Sequence, residues 1–296
     1  MAEMYPLNLN QIMLAEGGKS RNVAVCLFSL VGEMTVKADQ ILAAVQTQTP
    51  LVHCITNYVA MNIAANVVLA VGASPAMVHA EAEVADFVPI SGALTINIGT
   101  LSPSWVAAMQ KAADAATASD TPWVLDPVAH FATPYRSKVV QDLIARGPTI
   151  VRGNASEILA LSGAATAGKG ADSGDSVSDA ESVATALALT HECVVAITGQ
   201  VDFVTDGTRA ARISGGSDIM PMITAMGCSL TALMGAFVAV APPLEATVTA
   251  LAMFAEAGTR AAQTANGPGS FQVAFLDALS QIKPVDLASD ANVQWL

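Results

Sequence analysis

Apolar residues along this chain recur in two periods. Over 38–46, 59–70, 102–118 and 179–191 they return every three or four positions, which predicts amphipathic helices; Trp105, Met109, Ala112 and Ala113 share one face of the third. Between them lie the shorter apolar runs 76–79, 94–98, 123–125, 149–151 and 194–197, which predict strands. The last four stop at Gly99, Asp126-Pro127, Arg152-Gly153-Asn154 and Thr198-Gly199. Helices alternating with buried strands predict an α/β fold, a doubly wound, mostly parallel sheet flanked by helices. Ligands of such sheets bind beyond the carboxyl ends of the strands, where Asp126, Arg152, Asn154 and Thr198 fall. No internal repeat is visible, and the polar stretch 165–175 is too short for a domain linker.

Two apolar stretches resemble membrane signals. Residues 219–244 carry no charge, but they contain Pro221, Pro242 and Pro243 and are flanked by Asp218 and Glu245 rather than by Lys or Arg. A buried core helix is therefore expected there, with no membrane span. The run 23–31 follows Lys19 and Arg21 like a weak signal-peptide core, yet the segment before it holds Glu3 and Glu16 and no small-residue cleavage site follows. Residues 1–34 are read as a poorly ordered N-terminal extension, with Met34 a candidate true start, and residues 35–296 as a single domain.

Composition narrows the class. A chain of 296 residues, 53% hydrophobic, is ample for a large core, and scarce aromatics beside abundant Ala, Val, Leu and Gly suit helices packed closely on a parallel sheet. The formal charge of −12 argues against nucleic acid and anionic membranes as partners, since both demand a basic face. Cys26, Cys54, Cys193 and Cys228 show neither a CxxC pair nor metal-ligand spacing, as expected in a reducing cytoplasm.

The densest chemistry lies in Thr224-Ala225-Met226-Gly227-Cys228, a small-residue turn opening a helix-like run over 229–241. The unpaired N–H groups of a helix start favour an anion such as phosphate. A thiol there is expected to have its pKa lowered by the helix dipole, so that it can act as a base; the alternative is that Cys228 is a small buried hydrophobe. Asp126, with Asn154 and Glu157 one turn apart, offers oxygens suited to Mg²⁺. Arg152 offers a rigid fork for phosphate, and Thr198-Gly199 a hydroxyl and backbone for a nucleotide. The structural alternatives are a turn at Asp126-Pro127 and a capping box formed by Asn154 and Glu157.

The strings LVHCITNYV (51–59), GASPAM (72–77), GALTINIGTLS (92–102), LDPV (125–128), VRGNASEI (151–158), AITGQVD (196–202), TAMGC (224–228) and GPGSF (267–271) together resemble hydroxyethylthiazole kinases of the ribokinase-like superfamily. The resemblance covers about 50–271. It implies transfer of the γ-phosphoryl group of ATP to the hydroxyl of 4-methyl-5-(2-hydroxyethyl)thiazole in thiamine biosynthesis or salvage. It places Arg152, Thr198 and Asn154 on ATP, Asp126 and Glu157 near Mg²⁺, and Met77, Asn57, Val59 and Ala225 around the thiazole. Gly227 would help form the anion hole, with Cys228 beside the reacting hydroxyl. It also implies a homotrimer with sites between subunits.

The chain departs from the family pattern three times, once in its N-terminal extension, which has no counterpart there. Ala129-His130-Phe131-Ala132-Thr133-Pro134 stands where many members have a glycine-rich run, either reshaping a nucleotide-facing loop or filling a gap, and Ala225 replaces a glycine of the anion-hole motif. Other readings are a related kinase of a pyrimidine or other small alcohol, and a thiazole- or nucleotide-binding module without turnover.

Overall fold

The computed structural model describes residues 36–163, 176–289 and 291–296. The chain runs through α1 (Ala38–Gln48), β1 (Leu51–Ile55), α2 (Met61–Ala70), β2 (Ser74–Ala76), α3 (Val84–Phe87), β3 (Ala93–Asn97), α4 (Pro103–Ala118) and β4 (Trp123–Asp126). It continues through α5 (Pro134–Ile144), β5 (Ile150–Asn154), α6 (Ala155–Leu161), α7 (Val177–His191), β6 (Val194–Thr198), β7 (Asp202–Thr205) and β8 (Ala210–Ile213). Then follow α8 (Met226–Val238), α9 (Pro243–Ala262), α10 (Pro268–Gln281) and β9 (Val293–Trp295). The expected extension over 1–34 and the polar stretch 165–175 lie outside the described residues.

Successive strand side chains go to opposite faces, and both faces are covered. Val52, Cys54, Ala93, Val124, Ile150, Val194 and Ala196 join one apolar cluster with α1, α2, α8, α9 and α10. Their strand neighbours Leu94, Ile96, Trp123 and Leu125 pack under α4 and α5, and Val151, Val195 and Ile197 under α6 and α7. Double coverage explains why these strands read as continuous apolar runs. The sheet order is β2-β1-β3-β4-β5-β6-β7-β8-β9. Strands β2 through β6 pair in parallel with β1 among them, and β7, β8 and β9 extend the sheet in antiparallel pairing.

The structure corrects three expectations. The charge-free segment 219–244 is not one helix: a 3₁₀ turn spans Met220–Met222, Ala225 takes a left-handed conformation at φ 60° ahead of α8, and Pro243 opens α9. Prolines without an N–H, and a residue with positive φ, interrupt the ladder that one long helix needs. Among the described residues no helix is long and apolar enough to cross a membrane. The strand expected over 76–79 is the three-residue β2, displaced towards the N-terminus. The helix expected from 59 begins at Met61, because the Asn57 carboxamide oxygen captures the N–H groups of Val59 and Ala60, each at 3.0 Å. Strand β1 is not among the elements the periodicity predicts.

Candidate active site

Four parallel strands deliver polar residues to one end of the sheet. Asn97 ends β3, Asp126 ends β4, and β5 ends in Arg152, Gly153 and Asn154 beside Thr198 of β6. Register puts Asn97 opposite Asp126 and Asn154 opposite Thr198. The strand-end residues singled out from sequence therefore share one edge.

Asp126 is the hub. It is buried, and its Oδ2 accepts hydrogen bonds from Asn97 Nδ2 (2.8 Å) and Thr231 Oγ1 (2.7 Å), with Arg152 Nη1 at 3.5 Å. Arg152 Nη2 donates to Thr198 Oγ1 at 2.5 Å. Ionised groups this far from water persist only when paired and hydrogen-bonded. On the other side, Asn57 Nδ2 donates to Asn97 Oδ1 (2.7 Å) and to Cys228 Sγ (3.4 Å). The two backbone N–H groups on its oxygen fix the orientation of the amide, and all four of its bonding positions are engaged within the protein. Cys228, Asn57, Asn97, Asp126, Arg152 and Thr198 thus form one continuous chain of polar contacts.

Helix α8 brings its N-terminus to this chain. Its first intrahelical bond runs from Ser229 N–H to Ala225 C=O at 2.9 Å, so the N–H groups of Met226, Gly227 and Cys228 precede the ladder and are available to an anion. Gly227 is a requirement of close approach: a Cβ there would stand 2.7 Å from both terminal nitrogens of Arg152. The thiol of Cys228 is pushed up to about 11 by burial and by the negative charge of Asp126, against the pull of Arg152 and the hydrogen bonds from Asn97 and Asn57. This reverses the direction expected from the dipole. A helix terminus is worth about 0.3–1 kcal/mol, less than one pKa unit, and cannot offset a buried site beside a carboxylate.

Glu157 and Asn154 form the capping box of α6: Asn154 Oδ1 accepts from Glu157 N–H at 2.9 Å, and Glu157 Oε2 accepts from Asn154 N–H at 2.8 Å. Glu157 Oε1 accepts a third bond, from Ala129 N–H at 2.8 Å. Burial, and next the Asp126 charge, raise the Glu157 pKa. Arg152 acts on both buried carboxylates and Arg136 also lies within electrostatic reach of Glu157, yet among the described residues Asp126 Oδ1 carries only a long 3.4 Å bond from Val128 N–H, which leaves that oxygen room for a cation. That donor set fits Mg²⁺, a hard cation that takes one or two carboxylates and completes its shell with water and phosphate. Among the described residues no group of three or more His, Cys, Asp or Glu forms a cage for a metal by itself.

The remaining residues stand at the edges. Val59 meets the cluster through its backbone, its side chain 57% exposed. Met77 follows β2, half-buried against the apolar core, and among the described residues it makes no side-chain hydrogen bond to the cluster. Ala225 packs on that core from its left-handed position. His130 is buried and its Nε2 lies 3.0 Å from the Glu157 carbonyl, so this ring fills space under α6 and buttresses Glu157. Asn97 and Thr231 are the functional residues that sequence reading missed; the NIG of string 92–102 contains Asn97 at a strand end, the one signal for it.

Residues 42–284 match the hydroxyethylthiazole kinase family. The hydroxyethylthiazole kinase of Roseobacter denitrificans is 63% identical over 248 residues, which cover 84% of this chain and 96% of that protein. The solved hydroxyethylthiazole kinase structure from Pyrococcus horikoshii matches at TM-score 0.81 and 38% identity, over 88% of this chain and 98% of that one. A ribokinase-like superfamily protein from Enterococcus faecalis shares the fold alone, at TM-score 0.61 and 10% identity, over 84% of this chain and 96% of that one. With its ribokinase-like α/β sheet and a match over most of its length, the chain belongs to the hydroxyethylthiazole kinase family.

Proposed function

We propose that the protein transfers the γ-phosphoryl group of ATP to the hydroxyl of 4-methyl-5-(2-hydroxyethyl)thiazole, as its family's name implies, in thiamine biosynthesis or salvage. The observation that carries this reading is the open N-terminus of α8 with Cys228 as its third residue, tied through Asn57 and Asn97 to Asp126 and Arg152. Phosphoryl transfer needs in-line placement and neutralised charge more than covalent chemistry. Arg152, with Thr198 and Asn154, holds the nucleotide phosphates, and the N–H groups at Gly227 and its neighbours receive the charge that develops on the transferred group. Asp126 and Glu157 would hold Mg²⁺, directly or through water; bound there, the ion neutralises phosphate charge. Asn57 donates to Cys228 Sγ, favouring its thiolate, which takes the hydroxyl proton.

Met77, Val59 and Ala225 border the thiazole, where a polarizable thioether and small aliphatic groups suit a flat, sulfur-bearing ring. The engaged amide of Asn57 supports a role beneath the ring, orienting Cys228. A homotrimer is part of the same reading, supported by the exposed apolar side chains of Tyr58 and Val59 flanking Asn57. Light scattering at three times the 30.2 kDa chain mass tests it. A cytoplasmic location fits the unpaired Cys54, Cys193 and Cys228.

The deciding experiment is ADP release by the purified protein with Mg-ATP and a panel of thiazole, pyrimidine and simple primary alcohols. Turnover confined to the hydroxyethylthiazole is expected. Preference for a pyrimidine alcohol, or thiazole-dependent thermal stabilisation without ADP release, overturns the assignment.

A further inference from the structure

Arg136, at the third position of α5, makes no ion pair among the described residues, yet its guanidinium is half-buried and heavily bonded. Nε donates to the carbonyl of Ala129 (3.2 Å), Nη1 to that of Gly99 (3.3 Å), and Nη2 to those of Ile98 (2.9 Å) and Val128 (2.5 Å). Burial lowers its pKa, with the negative charge of Glu157 acting the other way. A cation gathered onto four neutral carbonyls, rather than onto a surface carboxylate, loses solvation for the sake of a fixed geometry.

Those carbonyls belong to two loops that have different tasks in the site. Ile98 and Gly99 follow β3. The Gly99 N–H donates to Asn97 Oδ1 at 2.9 Å, and its backbone lies so close to Asn57 that a Cβ would come within 2.6 Å of the amide nitrogen that donates to Cys228. Val128 and Ala129 follow β4. Ala129 sits at φ 48°, in the left-handed region, with its N–H on the Glu157 carboxylate and its C=O on Arg136. An alanine holds such a conformation, at about 1 kcal/mol, when its surroundings over-determine it. Here both polar groups of the residue are taken by charged side chains.

We propose that Arg136 is a positioning residue for phosphoryl transfer, clamping the loop that orients Asn57 and Cys228 to the loop whose Ala129 N–H holds the Glu157 carboxylate, and so fixing the span between the proton acceptor and the phosphate-side carboxylate. The proposal rests on the kinase reading above. Each loop keeps its own contacts when the clamp is lost, so binding of either substrate survives while their mutual alignment does not. Misplacement on the order of 1 Å costs about 10²-fold in rate.

The test uses the full-length protein and its Arg136→Lys and Arg136→Ala variants, measured for kcat, for KM of both substrates and for melting temperature. Lysine cannot reach two loops at once with a planar fork, so both variants are expected to lose about 10²-fold in kcat with both KM values little changed. Millimolar methylguanidinium should restore part of the kcat of Arg136→Ala, whereas methylammonium should not. Two results overturn the proposal while leaving the kinase reading intact. One is a variant with parental kcat; the other is a loss that follows the melting temperature and shows no guanidinium rescue. A parent protein inactive on every alcohol instead refutes the kinase reading, and this proposal with it.

Discussion

Replacing Cys228 by alanine and by aspartate separates a proton acceptor from a packing residue, and the structure sets the scale. With the thiol pushed up to about 11, the thiolate is present at about 10⁻⁴ of the enzyme at pH 7, which corresponds to about 5 kcal/mol. If that thiolate takes the hydroxyl proton, its fraction grows tenfold for each pH unit below the pKa. The single-turnover rate of the parent should then climb steadily from pH 7 to 9. Cys228→Ala should lose about 10²–10⁴-fold and the climb with it. An aspartate in the same place starts near a pKa of about 4, and a comparable upward push still leaves it mostly ionised at pH 7. Cys228→Asp should therefore retain substantial activity at pH 7 and show a flat profile above it. Rapid-quench measurement of the phosphorylated alcohol keeps product release out of the rate. A parent profile flat from pH 7 to 9, together with an alanine variant at full rate, would refute the base role and leave Cys228 a packing residue.

Gly227→Ala should raise the KM for ATP by about tenfold or more with a smaller effect on the KM for thiazole, because the new methyl displaces the Arg152 fork and a charge-assisted bond is worth about 1.5–3 kcal/mol; unchanged ATP kinetics would remove Arg152 from the nucleotide. Asp126→Asn and Glu157→Gln should each increase the Mg²⁺ needed for half-maximal rate, since each removes one carboxylate charge and keeps its shape. A Mg²⁺ titration superimposed on the parent's takes that residue out of the metal reading. Burial holds His53 and His130 below the ordinary 6.5, so the fold keeps both neutral while the unfolded chain takes up protons. Their contribution to stability is present above pH 6.5 and is lost as pH falls, by up to about 1.4 kcal/mol per histidine per pH unit. The melting temperature should drop between pH 7.5 and 5.5, less steeply in His53→Gln; equal slopes would count against a neutral buried His53.

Strands β3 to β6 are legible in sequence because Gly99, Asp126-Pro127, Gly153 and Gly199 punctuate them just where they leave the core. Strand β1 is harder to read: it directly follows Pro50, contains His53, and is buried on both faces, so no alternation marks it. The antiparallel strands β7 to β9 run only three or four residues, and their pairing is settled by contacts across the sheet. Pro221, the Pro242-Pro243 pair and the left-handed Ala225 that divide 219–244 are visible as residues, but their conformations are not. Within the site, strand-end logic brings Asp126, Arg152 and Thr198 together, whereas Thr231 reaches Asp126 from 105 positions away and Asn97 from 29. The acidity of Cys228 is illegible for the same reason, since it depends on burial and on how close Asp126 comes.

The single oxygen Oδ2 of Asp126 receives Asn97, Thr231 and Arg152 together. Partners of a shared acceptor do not contribute independently: removing one frees the others to tighten or to drift, and coupling energies of about 0.5–3 kcal/mol are usual within such networks. Pairwise substitutions around Asp126 will therefore not sum from their single effects. Reshaping this enzyme for a different alcohol is then a matter of exchanging residues in linked sets, with Asn57, Asn97 and Thr231 varied jointly, because improvements selected one position at a time would be erased when the shared oxygen redistributes its bonds.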